Sequence, residues 1–293
     1  MERLIFDCDN TMGLPRREID DGLTLYYLLG RPDVELLGVT TTFGNGPLED
    51  VTKQTRYMLS QAGRPDLPVL RGESREQADN PDSRHPTEAA RFLVEQAAAS
   101  PGQITILATG PLGNLGAAAT LAPGFFGNIK QIVCMGGYVD SLRIGWRRLD
   151  ELNLSGNPQA SHIVLTQNDC PLTVMNAQIC LQAPFTWRDL ARLQGWKYRV
   201  HTITRNWLLV FGLYCGVSYF YLWDLVPAVY ITHPDLFDRQ EIAIHSTLAD
   251  LETGMLVVSD PTPETRVNMP SRILDRDRFN STLFNTWQTC LAT

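Results

Sequence analysis

Short, uniformly apolar segments recur along this chain, each followed by a polar or glycine-containing loop and then by a helix-patterned stretch. Leu4-Ile5-Phe6, Val34 to Thr42, Pro68-Val69-Leu70, Ile104 to Ala108, Ile132 to Met135 and Leu172 to Met175 all read as strands. None alternates as a strand with one wet face would, so each is expected to be buried on both faces. Between them, Asp20 to Leu29, Leu48 to Ala62, Thr87 to Ser100 and Pro158 to Leu165 read as helices, with Pro47 at the start of the second. A sheet with two buried faces needs helices on both. The expected fold is therefore α/β, with a mainly parallel, Rossmann-like central sheet flanked by helices.

The last third changes character. Trp187 to Trp223 reads as mostly helical, and Asp224 is placed to cap a helix running to Ile231. Glu241 to Ser246 and Met255 to Ser259 read as a small β-hairpin through Glu252-Thr253-Gly254, and Arg276 to Cys290 as a closing helix. No repeat or linker interrupts the pattern, so a single domain over residues 1–293 with a C-terminal helical region is expected.

The formal net charge of −7 argues against sequence-independent nucleic-acid binding, which needs a basic surface. The six cysteines are scattered without metal-ligand spacing and read as buried thiols, which fits a reducing cytoplasm. The N-terminus lacks signal-peptide architecture. Trp207 to Trp223 contains no charge over 17 positions, but its length and its glycines favour a buried helix, lining a site or a subunit contact, over a membrane span.

In parallel sheets ligands bind beyond the carboxyl ends of the strands. The first such end carries Asp7-Cys8-Asp9, and Asp20-Asp21 follow. Four carboxylates close together repel unless a cation lies among them, and a hard divalent ion takes oxygen ligands of this kind. Asp20-Asp21 alone could equally be starting a helix.

Two families fit this segment. Asp7-Cys8-Asp9-Asn10-Thr11 resembles the D-x-D-x-T loop of haloacid-dehalogenase-type phosphatases. The other resemblance spans almost the whole chain and is to the inosine-uridine-preferring nucleoside hydrolases. Asp7, Asp9, Asp20 and Asp21 match that family's opening acidic positions. In order after them come Val39-Thr40 to Gly44-Asn45, Thr109-Gly110-Pro111-Leu112-Gly113-Asn114, Met135-Gly136-Gly137, Glu151-Leu152-Asn153 with Asn157-Pro158, and Trp223-Asp224.

The resemblance implies hydrolysis of the N-glycosidic bond of ribonucleosides to ribose and free base. It implies Ca²⁺ held by Asp9, Asp21, the backbone carbonyl of Thr109 and Asp224. Asp9 would be the catalytic base, activating a Ca²⁺-bound water that attacks through an oxocarbenium-like transition state. Asp20, Asn45, Glu151 and Asn153 would hold the ribose hydroxyls, with Met135 packed on the sugar and Trp223 stacking on the base. The partner is a small ribonucleoside, with no nucleic acid or membrane, and a homo-oligomer (dimer or tetramer) is expected. The alternatives are a nucleoside- or ribose-binding protein of the same fold that has lost turnover, and the phosphatase.

Three departures from the family pattern stand out. Ten residues, Asn10 to Ile19, separate Asp9 from Asp20 where the common form has three. Trp223 occupies a position where many members have a histidine thought to protonate the leaving base. Gly72 to Pro86 is a short polar loop in place of a longer flap, and Asn157 replaces an aspartate. The missing acid leaves His201, Tyr221 or a residue of the Asn10–Ile19 segment as candidates to reach the base, with His85 and His201 the histidines free to approach a pocket.

Overall fold

The computed structural model describes residues 1–80, 85–167, 169–261 and 266–291. Its centre is a nine-stranded sheet. From one edge the order is Val258–Ser259, Glu241–Ile244, Val267–Asn268, Leu172–Met175, β5 (Gln131–Met135), β4 (Ile104–Ala108), β1 (Glu2–Cys8), β2 (Val34–Thr41) and β3 (Val69–Arg71). Every pairing from Val267–Asn268 to β3 is parallel, and Glu241–Ile244 runs antiparallel to both its neighbours.

The continuous apolar runs are explained by two cores. Leu4, Phe6 and Cys8 of β1 join one cluster with Leu107, Val133 and Met135, while Ile5 joins the other with Ile104, Ile106 and Cys134. Successive side chains point to opposite faces, and both faces are covered by helices, so neither set can be polar.

The chain order places the ligand crevice. β1 leads to β2 and β3 on one side, then the chain returns to β4 on the other side of β1. This reversal opens a crevice beyond the carboxyl ends of β1 and β4, the position at which doubly wound sheets bind ligands. Asp7, Asp9 and Thr109 stand there.

The C-terminal third differs from expectation in several places. Trp187 to Trp223 is not one helical region. It contains a short helix (Trp187–Ala191), a longer helix (Val200–Cys215), and a strand (Tyr219–Tyr221) pairing antiparallel with Pro184–Thr186. The aromatic strand is held by Phe220 on Phe185, with ring centroids 5.0 Å apart. The expected buried helix is amphipathic: Leu208 and Cys215 face the core, whereas Leu213 is 80% exposed.

The hairpin expected through Glu252-Thr253-Gly254 is not a tight one. Ile244 does pair with Val258, but the connection contains a helical turn, Leu248–Leu251. Thr247 and Asp250 cap one another there, and this local exchange of hydrogen bonds nucleates the turn. A tight hairpin among the described residues is Arg143–Ile144 with Arg147–Arg148.

Asp224 does stand at the N-cap position of Leu225–Thr232, but its side chain makes no capping bond. The Gly72–Pro86 loop contains a short helix, Arg75–Asp79, and residues 81–84 of it lie outside the described residues. No helix among the described residues is long and apolar enough to cross a membrane. The six cysteines are free thiols, five of them buried.

Candidate active site

The crevice is a cavity of about 320 Å³. Eight of the ten residues predicted for the site line it: Asp20, Asn45, Thr109, Met135, Glu151, Asn153, Trp223 and Asp224. Asp9 and Asp21 sit just beneath that lining, 1% exposed each. These residues come from seven separate stretches of sequence, and the fold brings them together.

Carboxylates form the floor. Ligand oxygens of Asp20, Asp21 and Asp224 all lie within 4.8 Å of one another. The Thr109 hydroxyl donates to Asp21 Oδ1 (2.7 Å), and the Asp224 amide donates to Asp20 Oδ2 (3.3 Å). Asp9 is fixed from the β2 loop: the Asn45 amide donates to its Oδ2 (2.6 Å) and Asn45 Nδ2 to its Oδ1 (3.3 Å). That approach requires a glycine beside it, because a Cβ on Gly44 would come 1.8 Å from Asp9 Oδ2. Below the floor, Asp7 accepts from the Thr40 hydroxyl and from Asn114 Nδ2 and ties β1 to its neighbours.

Burial pushes Asp7 and Asp20 up to about 7. It raises Asp9, Asp21 and Asp224 as well, and the charges of Asp20, Asp21 and Asp9 add to the rise at Asp224. No Lys, Arg or His is among the residues lining the cavity, and Asp20 Oδ1 is buried without a hydrogen-bond partner. Desolvated carboxylates with an unused oxygen and no cationic side chain make a donor set suited to a hard divalent cation. The residues present therefore fit such an ion. Asp20, which sequence reasoning places on the ribose, stands within ligand reach of the same point.

The far wall is amide and backbone. Asn153 Nδ2 donates to the carbonyls of Thr109 (2.9 Å) and Met135 (3.0 Å). Glu151, buried and pushed above its usual range by that burial, accepts from four backbone amides, those of Gly137, Asn153, Leu154 and Ser155. Its carboxylate thus braces the loop that carries Asn153. Glu151→Ala leaves four amides without their acceptor and should lower stability by about 3 kcal/mol or more. Urea unfolding reads this, with Glu151→Gln recovering part; a loss under about 1 kcal/mol would show that the loop stands without it.

Sequence reasoning put the Trp207–Trp223 segment at a site or a subunit contact but named none of the residues that form the outer wall. Leu142 and Leu149 flank the tight hairpin, and Trp207, Phe211 and Tyr214 lie on one face of the Val200–Cys215 helix. Their spacing of three and four residues marks one helix face, but nothing local says that this face meets the sheet's crevice. Glu18, from the Asn10–Ile19 segment, also lines the cavity, whereas His201 and Tyr221 do not, and His85 borders a different cavity with Glu73 and Asn157.

Against known proteins, residues 4–281 match the family described as inosine-uridine preferring nucleoside hydrolase. The chain is 31% identical over 287 residues to uridine nucleosidase 1 of Arabidopsis thaliana, covering 85% of this chain and 82% of that one. It is 26% identical to the inosine-uridine preferring nucleoside hydrolase of Leishmania major, covering 94% of each. Among solved structures, the purine-preferring ribonucleoside hydrolase from Gardnerella vaginalis superposes with a TM-score of 0.83 at 20% identity over 98% of each chain, which shows a shared fold. Sequence, fold and cavity together are those of a hydrolase acting on glycosidic bonds. The chain belongs to the inosine-uridine preferring nucleoside hydrolase family, and with that the phosphatase alternative falls away. Thr11 of the D-x-D-x-T string serves instead as a loop brace, its hydroxyl donating to the Glu18 carbonyl (2.9 Å).

Proposed function

We propose that this chain cleaves ribonucleosides, uridine among them, to ribose and free base, with Asp9 as general base for the attacking water. The observation that carries this reading is the convergence of Asp20, Asp224, Asn153, Asn45 and Trp223 on one cavity whose floor is a desolvated carboxylate cluster. The name of the 31% identical Arabidopsis relative favours uridine as the first substrate to try.

Ribose seats on the floor, where Asp20, Asn45 and Asn153 offer hydroxyl partners and Met135 offers apolar contact. The base lies toward Trp223 and the aromatic helix face. Glu151 acts on the sugar through the loop it braces. As the glycosidic bond lengthens, positive charge grows on the ribose ring. The fixed carboxylates around it stabilise that oxocarbenium-like charge at no reorganisation cost. Asp9, Asp21, Asp224 and the Thr109 carbonyl would hold Ca²⁺, with Asp20 within reach of the same point, and the ion would supply acidity to the attacking water and an anchor for the ribose diol.

The test is a nucleoside panel with reducing-sugar release as readout. Free ribose and free base should appear in equal amounts from uridine without any added phosphate. Release of ribose 1-phosphate, or release that depends on inorganic phosphate, would sink hydrolysis as the reaction.

A further inference from the structure

The Asn10–Ile19 segment, where this chain departs from the family pattern, is an ordered loop. Asn10 Oδ1 accepts from the Met12 amide (3.0 Å), and Gln54 Nε2 donates to the Met12 carbonyl (2.5 Å). The Thr11 hydroxyl donates to the Glu18 carbonyl (2.9 Å) and so ties the two ends of the loop together. Met12 and Ile19 are buried in the core. Between these anchors the chain passes through Arg16 at a φ of +58°, a left-handed conformation that a residue with a Cβ keeps only where its surroundings impose it. The next residue, Arg17, is exposed at the rim, and its Nη1 donates to the Asn45 carbonyl (2.7 Å). Asn45 is the residue that holds Asp9, with its amide on Oδ2 (2.6 Å) and its Nδ2 on Oδ1 (3.3 Å). It stands between Gly44 and Gly46, which close the turn on themselves through the Gly44 amide and the Gly46 carbonyl (3.1 Å). Glycine restricts its backbone less than any other residue, so a Gly-Asn-Gly turn is only as rigid as its contacts with neighbouring segments.

We propose that Arg17 is a positioning residue for the general base: by fixing the Asn45 carbonyl it holds still the two donors that aim the Asp9 carboxylate. This inference rests on the reading of Asp9 as the base of a hydrolase. The inserted loop thereby serves the reaction from outside the cavity, since Arg17 is not among the residues lining it. Aim matters more to turnover than to binding or folding. A base must stand within hydrogen-bond reach of the proton it takes, and a misplacement of about 1 Å at a reacting group can cost about 10²-fold in rate. Removing one exposed contact frees the turn only in part, so a loss of about tenfold is expected.

The experiment measures kcat and KM for uridine and 4-nitrophenyl riboside on the wild type, Arg17→Ala, Arg17→Lys, Asp9→Asn and the double variant Asp9→Asn with Arg17→Ala. Arg17→Ala should lower kcat about tenfold on both substrates, with KM moving less than about threefold. Arg17→Lys, which can still donate to a carbonyl, should recover a substantial part. The double variant is decisive, because a residue that acts by aiming the base has nothing to aim once the base is gone. In the Asp9→Asn background Arg17→Ala should therefore cost less than about twofold more. The same tenfold loss in both backgrounds would make Arg17 a merely structural brace and overturn the proposal. So would a kcat for Arg17→Ala within about twofold of wild type, or a loss carried by KM. The reading of Asp9 is tested separately by the single variant: if Asp9→Asn keeps near wild-type turnover, or if the wild type cleaves neither substrate, that reading fails first and takes this inference with it.

Discussion

Asp9→Ala and Asp9→Asn should each lower kcat/KM for uridine by about 10³-fold, because a positioned general base contributes about 10² to 10⁴ in rate. The two variants separate catalysis from structure. Asp9 accepts the Asn45 amide at 2.6 Å, so alanine also loosens the β2 loop. Asparagine keeps an acceptor there and removes a desolvated charge whose neighbours are carboxylates. Asp9→Asn should accordingly melt at or above the wild-type temperature in the absence of divalent ions while losing turnover. Steady-state kinetics and a thermal melt on the same preparation decide it. Activity of Asp9→Asn within tenfold of wild type would remove Asp9 from the role of base.

In a chelator, the protein should become less stable as pH rises from about 4 to about 7, the reverse of the usual acid-side behaviour. Asp20 has a folded value of about 7 against an ordinary value of 3.8, so across this window the folded state binds more protons than the unfolded chain. Stability then falls as the proton is lost. Asp7 acts in the same direction over the same range. Exposed carboxylates paired with arginine, such as Asp33 and Asp235, are shifted downward and act only below it. The expected drop in Tm is on the order of 5–10 °C.

Calcium at neutral pH should reverse the drop. An ion at a hundredfold excess over its Kd adds about 2.7 kcal/mol, and the gain should fade below about pH 5 as the ligands protonate. Calorimetry at pH 4.5, 6 and 7.5, with and without Ca²⁺, reads both effects. Asp21→Asn should melt the same in either buffer. A melt that Ca²⁺ leaves unmoved at pH 7.5 would count against the cation site.

What the sequence determined alone was whatever depends on local pattern. Apolar runs such as Ile104 to Ala108 can be satisfied only by a sheet covered on both faces, so the parallel architecture was readable. So was the site's inner shell, since Asp9, Asn45, Thr109, Met135 and Asp224 each lie at or near an element end in a recognisable string. Element identity in the last third was less legible. Aromatic segments such as Tyr219–Tyr221 pack equally well in helix or strand, and only the pairing with Pro184–Thr186 decides.

The tertiary structure alone decided which distant groups meet. Glu151 looks like one more site carboxylate in sequence, but three amides of its own loop and that of Gly137 donate to it. Trp207, Phe211 and Tyr214 look like core, but the packing of the Val200–Cys215 helix turns them to the cavity. Glu18 sits in a segment with no regular periodicity. It comes to line the same cavity as Trp223, some two hundred positions away, with Met12 and Ile19 buried on either side of it. Contacts of that kind come from closing the chain on itself around a shared core, and no local propensity encodes them.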